Sequence, residues 1–124
     1  MQERIRSHFF LCSEYEIRRH NDYIEIMLPL KKHDPSIIYK WKYMENLIIT
    51  NLSLNLSWND LEKRFGRKIA YDVEVRFRKS GENIKLYNSK KSLKDYMREI
   101  NMPPWKRERT PLIYINKELR VIWD

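Results

Sequence analysis

The segment PLIYINKELRVIW, residues 111–123, reads as a buried β-hairpin. Its first run, LIYI, is apolar on both faces, and ELRVIW is nearly so, whereas a strand with one face in water alternates apolar and polar residues. Asn116-Lys117 joins the two runs as a tight turn. The chain is therefore expected to close on a hairpin that other elements cover from both sides.

Working back from the hairpin, Pro103-Pro104 cannot continue a helix, because neither proline has an amide donor and Pro104 disfavours the α region at the residue before it. Ahead of them lies a helix over 92–100. Ser92 and Asp95 resemble a capping box with the shorter acid, and Leu93, Tyr96, Met97 and Ile100 fall at i, i+3, i+4 and i+7. Lys90, Lys94 and Arg98 are spaced four apart, as along one ridge, with Lys91 beside them. Earlier still, DVEVRFRK alternates strictly, with Val73, Val75 and Phe77 to one side and Glu74, Arg76 and Arg78 to the other. Ser80-Gly81 then predicts a turn and ENIKLY a returning strand, giving a hairpin with one buried and one charged face.

The first half is less distinct. YEIRRH and YIEIML, joined at Asn21-Asp22, predict a hairpin, and the basic segment between Pro29 and Pro35 predicts a loop. SIIYKWKYM does not decide between helix and strand. NLIITNLSLNL (46–56) suits a strand and its continuation, and SWNDLEKRFG suits a short helix capped at Ser57 or Asn59 and stopped at Gly66.

A chain of 124 residues with 42% hydrophobic and 13% aromatic content can bury a real core, and a single domain over 1–124 is expected. Cys12 is the sole cysteine, so no internal disulfide or CxxC site can form, and it reads as a small apolar side chain. His8, His20 and His33 do not have the spacing of a metal pair, so no metal site is expected. With Gly66 and Gly81 as the only glycines, a glycine-rich loop wrapping a phosphate is excluded. No stretch approaches the ~18 consecutive apolar residues of a membrane span. MQERIRSHFF has no apolar core of signal-peptide length, and a cytoplasmic location with no membrane partner is expected.

The balance of 25 Lys+Arg against 17 Asp+Glu gives +8, a bias suited to polyanions. Between 90 and 109 there are seven basic and three acidic residues. In MPPWKRERTP (102–111) the prolines are expected to hold the chain extended and Trp105 to anchor it in the core, so that Lys106, Arg107 and Arg109 project from a stiff frame. Rigid guanidinium forks favour phosphate contacts, since each can bond two oxygens with little loss of rotamer freedom. The same cations could equally form a solvated helix face, or pair with Glu108 and its neighbours to close the fold.

KKSLKDYMREINMPPWKRERTPLIYINKEL (90–119) resembles the C-terminal signature of the bacterial tRNA(Ile)-lysidine synthetases, in which a Ser-Leu-Lys helix precedes a Pro-Pro-Trp elbow and a closing hairpin. VEVRFRKSGENI and YEIRRHNDYIEI are similar to the preceding hairpins, so the resemblance covers about Tyr15 to Trp123 and is most specific within 72–124. It implies an α+β fold, a β-sandwich of unusual topology built from hairpins with one or two short helices, shared with a domain of the phenylalanyl-tRNA synthetase β subunit. Family members ligate lysine to the wobble cytidine of an isoleucine tRNA with ATP, in an N-terminal domain carrying an SGG-x-DS loop that this chain lacks. The resemblance therefore implies a non-catalytic domain with no cofactor of its own that grips the tRNA acceptor stem. Lys91, Lys94, Arg107 and Arg109 match the motif and are the contacts it implies, with Lys90, Arg98 and Lys106 beside them. Leu93, the prolines and Trp105 are implied as fold-makers, and Lys106 stands where an apolar residue is expected. The alternative is a docking domain that packs on the catalytic part or on a second copy without touching RNA. An independent enzyme is not supported, since no nucleophile, base and oxyanion donor can be assembled from the sequence.

Overall fold

The computed structural model describes residues 10–12, 15–20, 23–27 and 32–124. The chain divides into two compact units, Met1–Lys32 and His33–Asp124. In the first, β1 (Phe10–Cys12), β2 (Tyr15–His20) and β3 (Tyr23–Met27) form an antiparallel sheet in that order. His20 stands opposite Tyr23 and Ile17 opposite Ile26, so the expected hairpin is present, while its Asn21-Asp22 turn lies outside the described residues.

The second unit is α+β. Its strands are β4 (Tyr39–Trp41), β5 (Leu47–Ile49), β6 (Leu54–Leu56), β7 (Val73–Arg76), β8 (Asn83–Lys85), β9 (Lys90–Ser92), β10 (Leu112–Ile115) and β11 (Glu118–Ile122). Its helices are α1 (Trp58–Phe65), α2 (Leu93–Glu99) and the single turn α3 (Pro104–Arg107). A six-stranded mixed sheet runs in the order β4-β7-β10-β11-β8-β9, and β5-β6 pair as a separate two-stranded sheet.

The β10-β11 hairpin occupies the middle of the large sheet, as its two apolar faces require. Asn116 and Lys117 take φ of 57° and 67°, the paired positive values of the tight turn whose twist matches that of the strands. Along β10 the side chains divide between two cores. Ile113 and Ile115 join Trp41, Ile49, Leu56 and Leu61, whereas Leu112 joins Leu93, Met97 and Met102. One core thus lies under α1 and the small sheet, and the other under α2.

A β-bulge keeps β11 consistent with both. Ile113 pairs with Val121 and Tyr114 with Leu119, so Arg120 is an extra residue between them. In a regular strand Leu119 and Val121, two apart, would share a face; across the bulge, Leu119 faces the α2 core and Val121 the α1 core. Arg120 places its guanidinium 5.0 Å from the centre of the Phe65 ring.

Both longer helices begin as their sequences suggest. Ser57 Oγ accepts from the Asp60 amide at 3.3 Å and Ser92 Oγ from the Asp95 amide at 3.1 Å. Gly66 ends α1 at φ 89°, its N–H donating to the Glu62 carbonyl at 2.9 Å. Leu93 and Met97 of α2 are buried, but Ile100 is 39% exposed beyond the last turn, so the apolar stripe is shorter than its spacing suggests.

Two expectations need correction. VEVR and NIK do not form a hairpin: β7 is flanked by β4 and β10, while β8 pairs with β9 and, in parallel, with β11. The hairpin that is apolar on both faces takes the central place and separates them. Residues 46–56 form two strands rather than one, because the chain turns through a 3₁₀ segment at Thr50–Leu52 and Ser53 at φ 54°, then returns with Leu47 opposite Leu56.

Deleting Arg120 should remove the bulge and leave Leu119 and Val121 as neighbours on opposite faces, so the melting temperature in a thermal unfolding scan should fall far less than in Ile113→Ala. Ile113→Ala should cost about 2–5 kcal/mol in denaturant titration, since Ile113 is wholly buried.

Candidate nucleic-acid interface

The elbow after α2 is built differently from its expected extended form. Pro103 is extended at φ −62°, ψ 147°, but Pro104 opens α3 as its first residue, where a fixed φ and a missing amide cost nothing. Lys106 N–H then donates to the Pro103 carbonyl and Arg109 N–H to the Lys106 carbonyl, each at 3.0 Å. Buried Thr110 closes the turn, its hydroxyl donating to the Lys106 carbonyl at 2.7 Å. Trp105 is only half-buried, because a one-turn helix does not carry its indole fully into the core.

This turn fixes Arg107. Its Nε–H donates to the Met102 carbonyl at 2.9 Å, clamping the side chain across the elbow. Burial lowers the Arg107 pKa first, and the charges of Arg78 and Arg98 lower it further. Arg78 follows β7, Arg98 lies in α2 and Arg107 in α3, so Arg107 feels the charges of two other elements. Both disfavour the charge of Arg107, and an anion seated beside it would reverse that sign. Arg98 also meets Asp95 across 3.7 Å, an exposed pair of little energetic weight.

The remaining cations divide. Lys91 Nζ donates to Glu99 Oε1 at 2.6 Å, holding it against α2. Lys94 and Lys106 are exposed on α2 and α3. Lys90 lies in β9, not in the helix, so Lys90, Lys94 and Arg98 do not form one helical ridge: the chain is extended up to Ser92 because β9 pairs with β8. Arg109 is half-buried near His33.

Arg78 was not among the cations singled out in the sequence. Its signal was the charged side of DVEVRFRK, but only the pairing of Arg76 with Leu112 carries that strand to the elbow. Arg78 also lines a cleft of about 440 Å³ with Pro35, Ser36, Lys79, Ser80 and Glu108. Asp34 Oδ1 accepts from both the Ser36 hydroxyl (2.6 Å) and amide (3.0 Å), which holds its carboxyl below the usual range.

Fold and cations together define a small basic α+β domain. Residues 73–124 match the family model of the TilS substrate C-terminal domain. The chain is 31% identical over 112 residues to the tRNA(Ile)-lysidine synthase of Legionella pneumophila (strain Lens), covering 89% of this chain and 26% of that protein. It is 31% identical over 109 residues to that of Coxiella burnetii, 84% of this chain and 24% of the relative. For Hamiltonella defensa the figures are 28% over 124 residues, 90% and 27%. Over residues 73–124 the chain matches the family of these C-terminal domains, and it spans about a quarter of the length of the curated relatives it matches. The match to the Legionella protein is longer than the His33–Asp124 unit and so reaches into Met1–Lys32.

His33 supplies a pH test of this corner. Its ring meets Phe77 edge-on with centroids 4.3 Å apart. Burial, then Arg109, hold its pKa below the ordinary 6.5. Because the unfolded state binds the proton more tightly, the stability from neutral His33 is complete above pH 6.5 and is lost as pH falls through the lower folded value. His33→Leu should flatten the pH dependence of the unfolding free energy below 6.5 relative to the unsubstituted chain.

Proposed function

We propose that this chain is the non-catalytic, tRNA-binding part of a tRNA(Ile)-lysidine synthetase, and that it grips the acceptor stem through phosphates. Arg107 carries this reading: it is clamped to the Met102 carbonyl while the charges of Arg78 and Arg98 act on it, and an anion would stabilise such a group. Lys94 and Lys106, exposed on the same two helices, extend the positive surface, with Lys90, Lys91 and Arg109 as outlying contributors. An A-form stem suits such a surface, because side chains cannot enter its deep major groove while its phosphates and shallow minor groove are open to them. ATP and lysine chemistry belong to the rest of the parent enzyme, which acts in the cytoplasm, and the chain works as one domain over 1–124. The sandwich expected from the resemblance is part of the same reading. It is supported by the shared core that packs the β5-β6 sheet against the large one.

A docking role is the second reading, favoured by Met44 and Ile48, which are 67% and 65% exposed around β5. Titration of a tRNA transcript at several salt concentrations separates the two. Under the phosphate reading, Arg78→Ala weakens binding to every tRNA and reduces the slope of log affinity against log salt by about 1. Unchanged affinity and slope in Arg78→Ala and in Arg98→Ala would favour docking.

A further inference from the structure

A second cleft opens at the other end of β7 from Arg78. Lys40, Tyr43, Tyr71, Asp72, Tyr114 and Lys117 are among the residues around a cavity of about 580 Å³, within the roughly 300–1,000 Å³ range of ligand pockets. Glu74, at this end, and Arg78 stand roughly 13 Å apart along the extended chain.

The walls combine aromatic rings with two lysines and two carboxylates. Tyr43 and Tyr71 are 46% and 48% exposed, so each keeps about half of its surface in water. The Tyr43 ring is braced against buried Trp58, the two at 86° with centroids 5.6 Å apart. The Tyr43 amide donates to Asp72 Oδ1 at 2.8 Å, tying it to the residue after Tyr71. Both carboxylates of the lining already have partners: Asp72 has that amide, and Glu74 has Arg76 at 2.7 Å. Lys40 and Lys117 are exposed cations on the same lining. Lys117 holds φ 67°, a conformation glycine adopts without steric cost and lysine does not. Turn chemistry alone disfavours this residue, and its strained backbone sets an ammonium group at the cleft.

We propose that this cleft takes an unpaired RNA nucleotide, its base stacked on Tyr43 or Tyr71 and the adjoining phosphates met by Lys40 and Lys117. Aromatic rings beside a track of cations hold single strands without reading their sequence, because every base offers a π face. The site rests on the reading of the chain as an RNA-binding domain. It adds to the arginine grip a means of telling an unpaired segment from a duplex.

The 124-residue chain is tested with two fluorescent probes, a short single-stranded ribo-oligonucleotide and a blunt RNA duplex. Tyr71→Ala is expected to weaken the single strand on the order of 10-fold while leaving the duplex unchanged. Tyr43→Leu should act in the same direction. Lys117→Gly should also weaken the single strand while raising the melting temperature, which separates loss of the cation from damage to the fold. If these variants keep full single-strand affinity while Arg78→Ala still weakens the duplex, the stacking site is overturned and the phosphate grip stands. An unsubstituted chain that binds neither probe overturns both.

Discussion

The second unit is organised by one constraint: the β10-β11 hairpin has apolar side chains on both faces, and neither face can be left in water. Burying Ile113 and Ile115 on one side and Leu112 on the other demands two covering layers. The chain supplies α1 with the β5-β6 sheet for the first and α2 for the second. Arg120 is the adjustment that makes this possible, since an extra residue lets Leu119 and Val121, two apart, point to opposite cores.

Central placement of that hairpin also assembles the cationic site. β7 and β8, close in the chain, are forced to opposite sides of it, and β7 becomes the neighbour of β10. Because β10 follows directly on the elbow, pairing with it carries β7 toward the elbow, and the charge of Arg78 acts on Arg107. The elbow contributes through hydrogen bonding rather than through proline stiffness alone. The clamp from Arg107 to the Met102 carbonyl and the Thr110 closure hold the guanidinium at the cost of burying it partly among its own kind.

Much of this was legible beforehand where the signal is local. Caps at Ser57 and Ser92, the stop at Gly66, the Asn116-Lys117 turn and the alternation of Val73, Val75 and Phe77 all lie where their spacing puts them. Failures came where pairing partners are far apart in the chain. Ser80-Gly81 looks like a hairpin turn, and nothing nearby shows that another hairpin will lie between its strands. Lys90 shares the four-residue spacing of Lys94 and Arg98, yet pairing of β9 with β8 keeps it extended. The elbow cations appear uniform in sequence, but Arg107 turns to Arg78 and Arg98 while Arg109 lies near His33.

The amino-acid sequence by itself determined the basic character, the starts of the two longer helices and the family signature, because these depend on composition and on residues within a few positions of one another. Only the tertiary structure decided which strand lies beside which, and hence that Arg78 joins the elbow arginines while Tyr43 and Tyr71 share a cleft with Lys117. Strand order is set by how a whole sheet buries its two faces, and no local pattern carries that information.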